Sequence, residues 1–324
     1  MTASLDQRPE ATVSDSRETD AQRTIRIGTR GSELAMTQAG HVRDALIANG
    51  HPAELVIIKT AGDHNRNDPV QKIGVGVFTQ ALRLALRNGD CDVAVHSFKD
   101  LPTAGEADLT IAAVPPRVDA REVLVSRNNA TLRELPDGAA VGTSAPRRVS
   151  QLLAIRPDLD LRPVRGNIDT RMNRVHEDLD AVVLARAGLE RTGRLNRAAE
   201  SLAISDVMPA PAQGALAVEC RSSDSELVAA VAELDDPHSH ARAVAERQVL
   251  EVLQAGCTAP VGAYAHVNGG DELVLTAGVF AIDGTAGIVR TATGNVLEPV
   301  QLGTLIGQRL LEAGAHEVMG DTLR

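Results

Sequence analysis

The chain has 324 residues, 43% apolar and 23% charged, a length and balance suited to two or three soluble globular domains. Its formal net charge of -10 argues against a general nucleic-acid binder, and no apolar run reaches the length of a membrane span. Three cysteines (Cys91, Cys220, Cys257) without a CxxC pair support neither a disulfide framework nor a zinc site, so no metal is expected.

Residues 1-23 are polar and aperiodic, and they lack the apolar core of a signal peptide; they read as a disordered tail on a cytoplasmic protein. Residues 24-29 alternate like a strand. Arg30-Gly31-Ser32 leaves it, with Ser32 placed to cap a helix carrying Leu34, Ala35, Ala39, Val42 and Leu46 at helical spacing. A strand over 54-60 gives way to a polar stretch from Ala61 to Lys72 with no period, a loop of lid length. Gly74-Val75-Gly76 leads into a helix turning Phe78, Leu82, Ala85 and Leu86 inward. The run 91-95 predicts a buried central strand that opens into His96, Ser97, Lys99 and Asp100. In α/β sheets, ligands bind beyond the carboxyl ends of strands, so this exit is the leading candidate site.

Strands over 109-114, 123-126, 140-143, 160-164 and 181-185 alternate with helices over 146-155 and 167-177, which predicts sheets of parallel character. Two Pro-broken stretches, 114-121 and 208-213, cross between the halves and are expected hinges. A strand over 215-220 follows, then a helix carrying Ala241, Val244, Ala245, Val249 and Val252 that ends at Gly256. Three strand-like runs, 261-266, 273-280 and 287-293, and a helix over 298-313 close the chain as a small α+β unit.

Several strand exits repeat one chemistry. Thr29-Arg30-Gly31-Ser32, Thr143-Ser144-Ala145-Pro146-Arg147-Arg148 and Arg165-Gly166-Asn167 with Arg171 each bring hydroxyls or arginines to a helix N-terminus, which favours anions. Three of the 33 basic residues are lysines (Lys59, Lys72, Lys99), and nine arginines fall within 151-200. Guanidinium forks grip carboxylates two-pronged, as lysine cannot. A ligand rich in carboxylates or phosphates is the expectation. Cys257 sits on a Gly-flanked turn, where two readings stand open: a buried small hydrophobe or the carrier of a covalent group. Cys91 and Cys220 lie in apolar strands and read as core.

Taken in order, Val95-His96-Ser97-Phe98-Lys99-Asp100-Leu101-Pro102, Gly142-Thr143-Ser144 with Arg147-Arg148, Arg165-Gly166-Asn167 with Thr170-Arg171, Gln213-Gly214-Ala215 and Gly256-Cys257 resemble the porphobilinogen deaminase family, from about Arg26 to Ala315. The resemblance implies two doubly wound, periplasmic-binding-protein-like α/β domains facing a cleft, plus a small C-terminal α+β domain. It divides the chain into 24-115 with 210-236, then 116-209, then 237-324.

It also implies an enzyme, a transferase that joins four porphobilinogen units head to tail on a dipyrromethane cofactor and releases linear hydroxymethylbilane. By the same resemblance Cys257 carries the cofactor, one per chain, and Asp100 is the catalytic aspartate. Arg30, Arg147, Arg148, Arg165, Arg171 and Arg191 bind substrate carboxylates, with Ser32, Ser97, Lys99, Thr143, Ser144 and Gln213 assisting and Phe78 packing on the reacting pyrrole. The implied partners are porphobilinogen and, for the product, uroporphyrinogen-III synthase; no nucleic acid or membrane is involved, and a monomer is expected.

The chain departs from the family in places. Val75 stands where many members carry lysine between two glycines, with Lys72 nearby. Ala145-Pro146 replaces a common Ser-Leu pair, and residues 115-122 match the hinge segment only loosely. The rival reading is a non-enzymatic anion-binding protein of periplasmic-binding type. It would leave Gly256-Cys257 and the last part of the chain unexplained.

Overall fold

The computed structural model describes residues 23–58, 77–256 and 258–320. Its first sheet combines β1 (Ile25–Thr29), β2 (Ala53–Ile57), β3 (Val93–Ser97), β4 (Leu109–Ala113) and β10 (Leu216–Arg221) in the order β2-β1-β3-β10-β4. Helices α1 (Glu33–Ala48), α2 (Val77–Asn88) and α6 (Ser225–Ala232) cover it. Alternation along β3 sends Val93 and Val95 to the face packed by Val42 and Leu46 of α1, and Ala94 to the face packed by Leu82 and Leu86 of α2. Ser32 occupies the cap position of α1 without a side-chain hydrogen bond, so it caps by position alone.

The second sheet is built from β5 (Glu122–Ser126), β6 (Ala140–Gly142), β7 (Asp160–Arg162), β8 (Ala181–Ala185) and β9 (Glu200–Ser201), in the order β7-β6-β8-β5-β9. Helix α3 (Pro146–Ile155) follows β6, α4 (Ile168–Glu177) follows β7, and the short α5 (Arg186–Arg191) follows β8. Asn167 caps α4 by accepting the Thr170 N–H at 2.8 Å. Leu152 of α3 packs on one face of the sheet, and Met172 and Val175 of α4 on the other.

Both sheets are mixed, which corrects the parallel expectation. β10 runs antiparallel to β3 and β4, and β5 runs antiparallel to β8 and β9. The cause is a reciprocal crossing. The chain leaves the first sheet after β4 and enters the second through β5, then returns after β9 to insert β10 between β3 and β4.

The third unit packs α7 (Pro237–Val252), α8 (Pro299–Glu312) and the short α9 (Ala315–Met319) on an antiparallel sheet of β11 (Val261–Val267), β12 (Glu272–Phe280) and β13 (Gly287–Asn295). Its core pairs Val249 and Leu253 with Leu273, Leu275, Ile306 and Leu310. The sequence periodicity over 287-293 falls two residues short of the strand's end, and α5, α6, α9 and β9 carry no period long enough to predict. No helix among the described residues is long and apolar enough to cross a membrane.

Candidate active site

The central strand lies two residues further along than its apolar run suggests. Asp92 at its entry is fully buried and takes the Arg26 backbone N–H and Nε, each at 3.0 Å. His96 is therefore inside the sheet rather than at its exit. Its Nε2 lies 3.1 Å from Glu219 Oε2, and the Arg83 guanidinium forks onto the same carboxylate. His96 thus leaves the list of exit groups. Ser97 pairs with Gln38 of α1, whose Nε2 donates to its Oγ at 3.0 Å.

A single 3-10 turn over Phe98–Asp100 makes the actual exit. Phe98 is buried beside Leu101 and Ala243, which fixes the turn and leaves Lys99 half-buried and Asp100 exposed. Arg247 of α7 binds the turn from below, donating from Nη1 to the Phe98 and Leu101 carbonyls at 3.0 Å each, with its Cζ 4.7 Å over the Phe98 ring. Lys99 Nζ donates to Gln213 Oε1 at 3.0 Å. Burial pushes the Lys99 ammonium below its usual pKa, against the pull of the Asp100 carboxylate.

Across from this turn, α3 begins at Pro146 with Ala145 at its cap, a residue with no side chain to accept the first-turn N–H groups. Its Arg147 and Arg148 are 4% and 7% exposed and share one fully buried carboxylate, Glu122 of β5. Arg147 Nη2 donates to Glu122 Oε1 and its Nη1 to the Met208 carbonyl. Arg148 Nη2 reaches Glu122 Oε2 at 2.8 Å and its Nη1 the Val183 carbonyl at 2.9 Å. Burial alone would raise the Glu122 pKa; the charges of Arg148 and Arg147 outweigh it and hold the carboxyl down to about 2.

The two exits meet at a cavity of about 270 Å³. Lys99, Asp100, Ser144, Arg147, Arg148, Arg171 and Gln213 all line it, with Leu250 and Val261 supplying apolar wall and Gly256 and Ala259 bringing up the turn at the end of α7. Asp100 is the one acid among the described lining residues, facing four cations. Burial, then the charge of Arg148, lowers the Arg171 pKa, and Asp100 opposes both. Arg148 Nε is buried without a hydrogen-bond partner, an unmade bond that a carboxylate on a ligand would complete.

Other expected residues stand apart from this wall. Arg30 is half-buried after β1, Ser32 and Arg165 are exposed, and Thr143 is buried with its Oγ1 accepting the Ala145 N–H at 3.4 Å. Arg191 crosses from α5 to the Gly214 carbonyl at 2.7 Å, and burial lowers its pKa to about 10. Although Ser144 lines the cavity, its hydroxyl is engaged on both sides of Val164, donating to the carbonyl at 2.6 Å and accepting the N–H at 2.9 Å. Gln213 is fully buried and also donates to the Ala120 carbonyl at 2.7 Å, tying the two crossing segments together. The next residue, Gly214, has φ +88, and a Cβ there would sit 2.6 Å from the Val118 carbonyl oxygen. Cys257 and the Phe78 side chain lie outside the described residues.

Two organising carboxylates escaped the sequence reading. Glu122 opens a strand with the apolar centre Val123-Leu124-Val125, and Glu246 lies on the buried stripe of α7 with Ser239, Ala243 and Leu250. An acid in register with core residues was the available signal. Glu246 accepts from Arg117 Nη1 at 2.6 Å, from Ala212 N at 2.6 Å and from Ala265 N at 2.7 Å, joining both crossings to the third unit.

Comparison with known proteins gives the family. Residues 25–229 match the model of the porphobilinogen deaminase dipyrromethane cofactor binding domain, and residues 240–312 that of the porphobilinogen deaminase C-terminal domain. A porphobilinogen deaminase of Corynebacterium glutamicum is 56% identical over 301 residues, covering 92% of this chain and 99% of the relative. Those of Nocardia farcinica and Mycobacterium leprae are 56% and 53% identical over 304 residues, covering 91% of this chain and 88% and 96% of theirs. Among solved structures, the periplasmic VFT2 domain of Bordetella pertussis BvgS covers 65% of this chain and 86% of its own at 18% identity and a TM-score of 0.39; the doubly wound topology here rests on the strand order itself. The C-terminal match covers the part that a bare anion-binding protein leaves unexplained, and that reading is not favoured. With both family models together spanning most of its length, the chain belongs to the porphobilinogen deaminase family.

Proposed function

We propose that the protein joins four porphobilinogen molecules head to tail, releasing ammonia at each addition, and then frees linear hydroxymethylbilane by hydrolysis. The observation that carries this reading is the cavity itself, where one exposed carboxylate, Asp100, faces Lys99, Arg147, Arg148 and Arg171. Porphobilinogen carries an acetate and a propionate, which suit the guanidinium groups, and an aminomethyl pyrrole, which suits the acid.

In this reading Arg148 and Arg171 hold the carboxylates of the incoming unit, and Lys99 adds a charge-assisted hydrogen bond. Asp100 accepts from the pyrrole N–H and stabilises the positive charge that develops as ammonia leaves. The same carboxylate takes up the α-proton of the attacking pyrrole. Leu250 and Val261 keep one wall apolar, which strengthens these charge interactions.

The basic wall and the buried, unpartnered Arg148 Nε fit a dipyrromethane, a compound with four carboxylates. When bound through Cys257, the dipyrromethane supplies the primer on which the chain is built. Arg30, Ser32, Ser97, Thr143, Arg165 and Arg191 are assigned to later positions along a growing chain, and Phe78 to the reacting ring. The division into 24-115 with 210-236, 116-209 and 237-324, monomeric state, a cytoplasmic site of action and delivery of product to uroporphyrinogen-III synthase belong to the same proposal. Its test is the ratio of ammonia to hydroxymethylbilane formed by the purified protein from porphobilinogen. A ratio of four supports it; consumption of porphobilinogen without hydroxymethylbilane, or none at all, refutes it.

A further inference from the structure

A second cavity of about 330 Å³, which shares no lining residue with the first, is lined by Arg117, Asp119, Arg121, Ile204, Arg242 and Tyr264. Two of its three arginines are already neutralised. Arg117 is paired through both terminal nitrogens with the buried Glu246, at 2.6 and 3.0 Å. Arg121 forks onto Asp119, with Nη2 at 2.7 Å and Nε at 3.0 Å from Oδ2. Arg242 differs. It makes no ion pair among the described residues, its Nη2 donates to the Ser239 hydroxyl at 3.0 Å, and its Nε is buried with no hydrogen-bond partner. Burial, then the charge of Arg117, pushes its pKa down; Glu246, Tyr264 and Asp236 oppose this from a distance without reversing it, and none of them pairs with the guanidinium.

We propose that this cavity is a second anion site, which takes a small oxyanion, phosphate or carboxylate, on the Arg242 guanidinium. The occupant would complete the Nε hydrogen bond and supply a counter-charge in direct contact. It would also touch the outgoing crossing through Arg117 to Arg121, the return path through Ile204 and the third unit through Arg242 and Tyr264. A bound anion therefore ties the three parts together and stabilises the folded chain by mass action. This inference does not depend on the reaction proposed for the first cavity.

The chain carries its own reporter, because Tyr264 is its one tyrosine and it has no tryptophan. The holoprotein is titrated with sodium phosphate replacing sodium chloride at constant ionic strength, with tyrosine fluorescence as the signal. A saturable change is expected, weakened at least about tenfold in Arg242→Gln, the weight of one charge-assisted hydrogen bond. Ile204→Glu, a change at a half-exposed wall position that leaves Arg242 intact, should abolish the change by placing a fixed carboxylate in the cavity. A parallel acetate series separates the sources, since the site belongs to whichever anion saturates it at lower concentration. The absence of any saturable change, or titrations in both variants that match the parent, would overturn the proposal. Phosphate binding only in the arginine-lined first cavity gives that second result.

Discussion

The two doubly wound sheets share one strand order and one inserted antiparallel strand, yet they present charge to the cavity between them in opposite ways. The first offers Lys99 and Asp100 on a single short turn, with Asp100 exposed and without a hydrogen bond among the described residues. The second offers Arg147 and Arg148 already locked to the buried Glu122 and to backbone carbonyls. In the proposed reaction, cations that recognise the same carboxylates at every addition gain from a fixed position, because little ordering remains to be done on binding. In the same proposal, an acid that follows a changing reactant gains from being left available. The contrast teaches that one fold, used twice, can supply rigidly held cations and an uncommitted acid.

The sharpest way to break this contrast is Asp100→Asn, which keeps shape and removes charge. Turnover of porphobilinogen should fall by about a hundredfold to a thousandfold, the cost of removing one preorganised charge-stabilising group, while thermal stability stays near the parent's. Equal losses in both would place Asp100 on the structural side of the comparison. Of comparable size, but on stability rather than turnover, is Glu122→Gln. Leaving two buried guanidinium groups without their shared carboxylate should cost ~3–5 kcal/mol of folding stability, read from the denaturant midpoint. An unchanged midpoint would mean that backbone carbonyls alone hold Arg147 and Arg148.

Acid titration sharpens the same point. With its pKa held at about 2 against an ordinary 4.5, Glu122 contributes fully above about pH 4.5, and that contribution is lost as the pH falls towards 2. Denaturant midpoints measured over that window should fall more steeply for the parent than for Glu122→Gln. Parallel curves would count against the assignment. The smallest effect is expected of Arg148→Lys, which keeps the charge but loses the fork. It should raise the KM for porphobilinogen about tenfold, the scale of one charge-assisted hydrogen bond, with kcat less affected.

Much of this was legible in the residues. Helix α3 over 146–155 and strand β8 over 181–185 fall where the pattern puts them, because each has a clear stop at both ends, α3 with one buried stripe and β8 with an apolar run buried on both faces. The cluster of Lys99 with Asp100, and of Arg147 with Arg148, follows from polar groups at strand exits. The pairings were not legible. Glu122 is separated from Arg148 by 26 positions, and Glu246 from Arg117 by 129, so nothing local links either pair. Nor does apolar patterning reveal strand direction, because β5 and β10 have the same composition whichever way they run. Their antiparallel setting comes from the reciprocal crossing. His96 shows a third limit: a polar residue at the end of an apolar run can still be interior when a buried partner, here Glu219, comes from another strand.

The central claim, that this cavity serves a chain grown on a covalent primer, is tested most directly by the intact mass of the purified protein beside a Cys257→Ser variant. The account predicts an excess of two pyrrole units on the parent, further additions of one unit at a time when porphobilinogen is supplied in limiting amounts, and neither on the variant. A parent that carries no added mass, and gains none on incubation with porphobilinogen or hydroxymethylbilane, would contradict it.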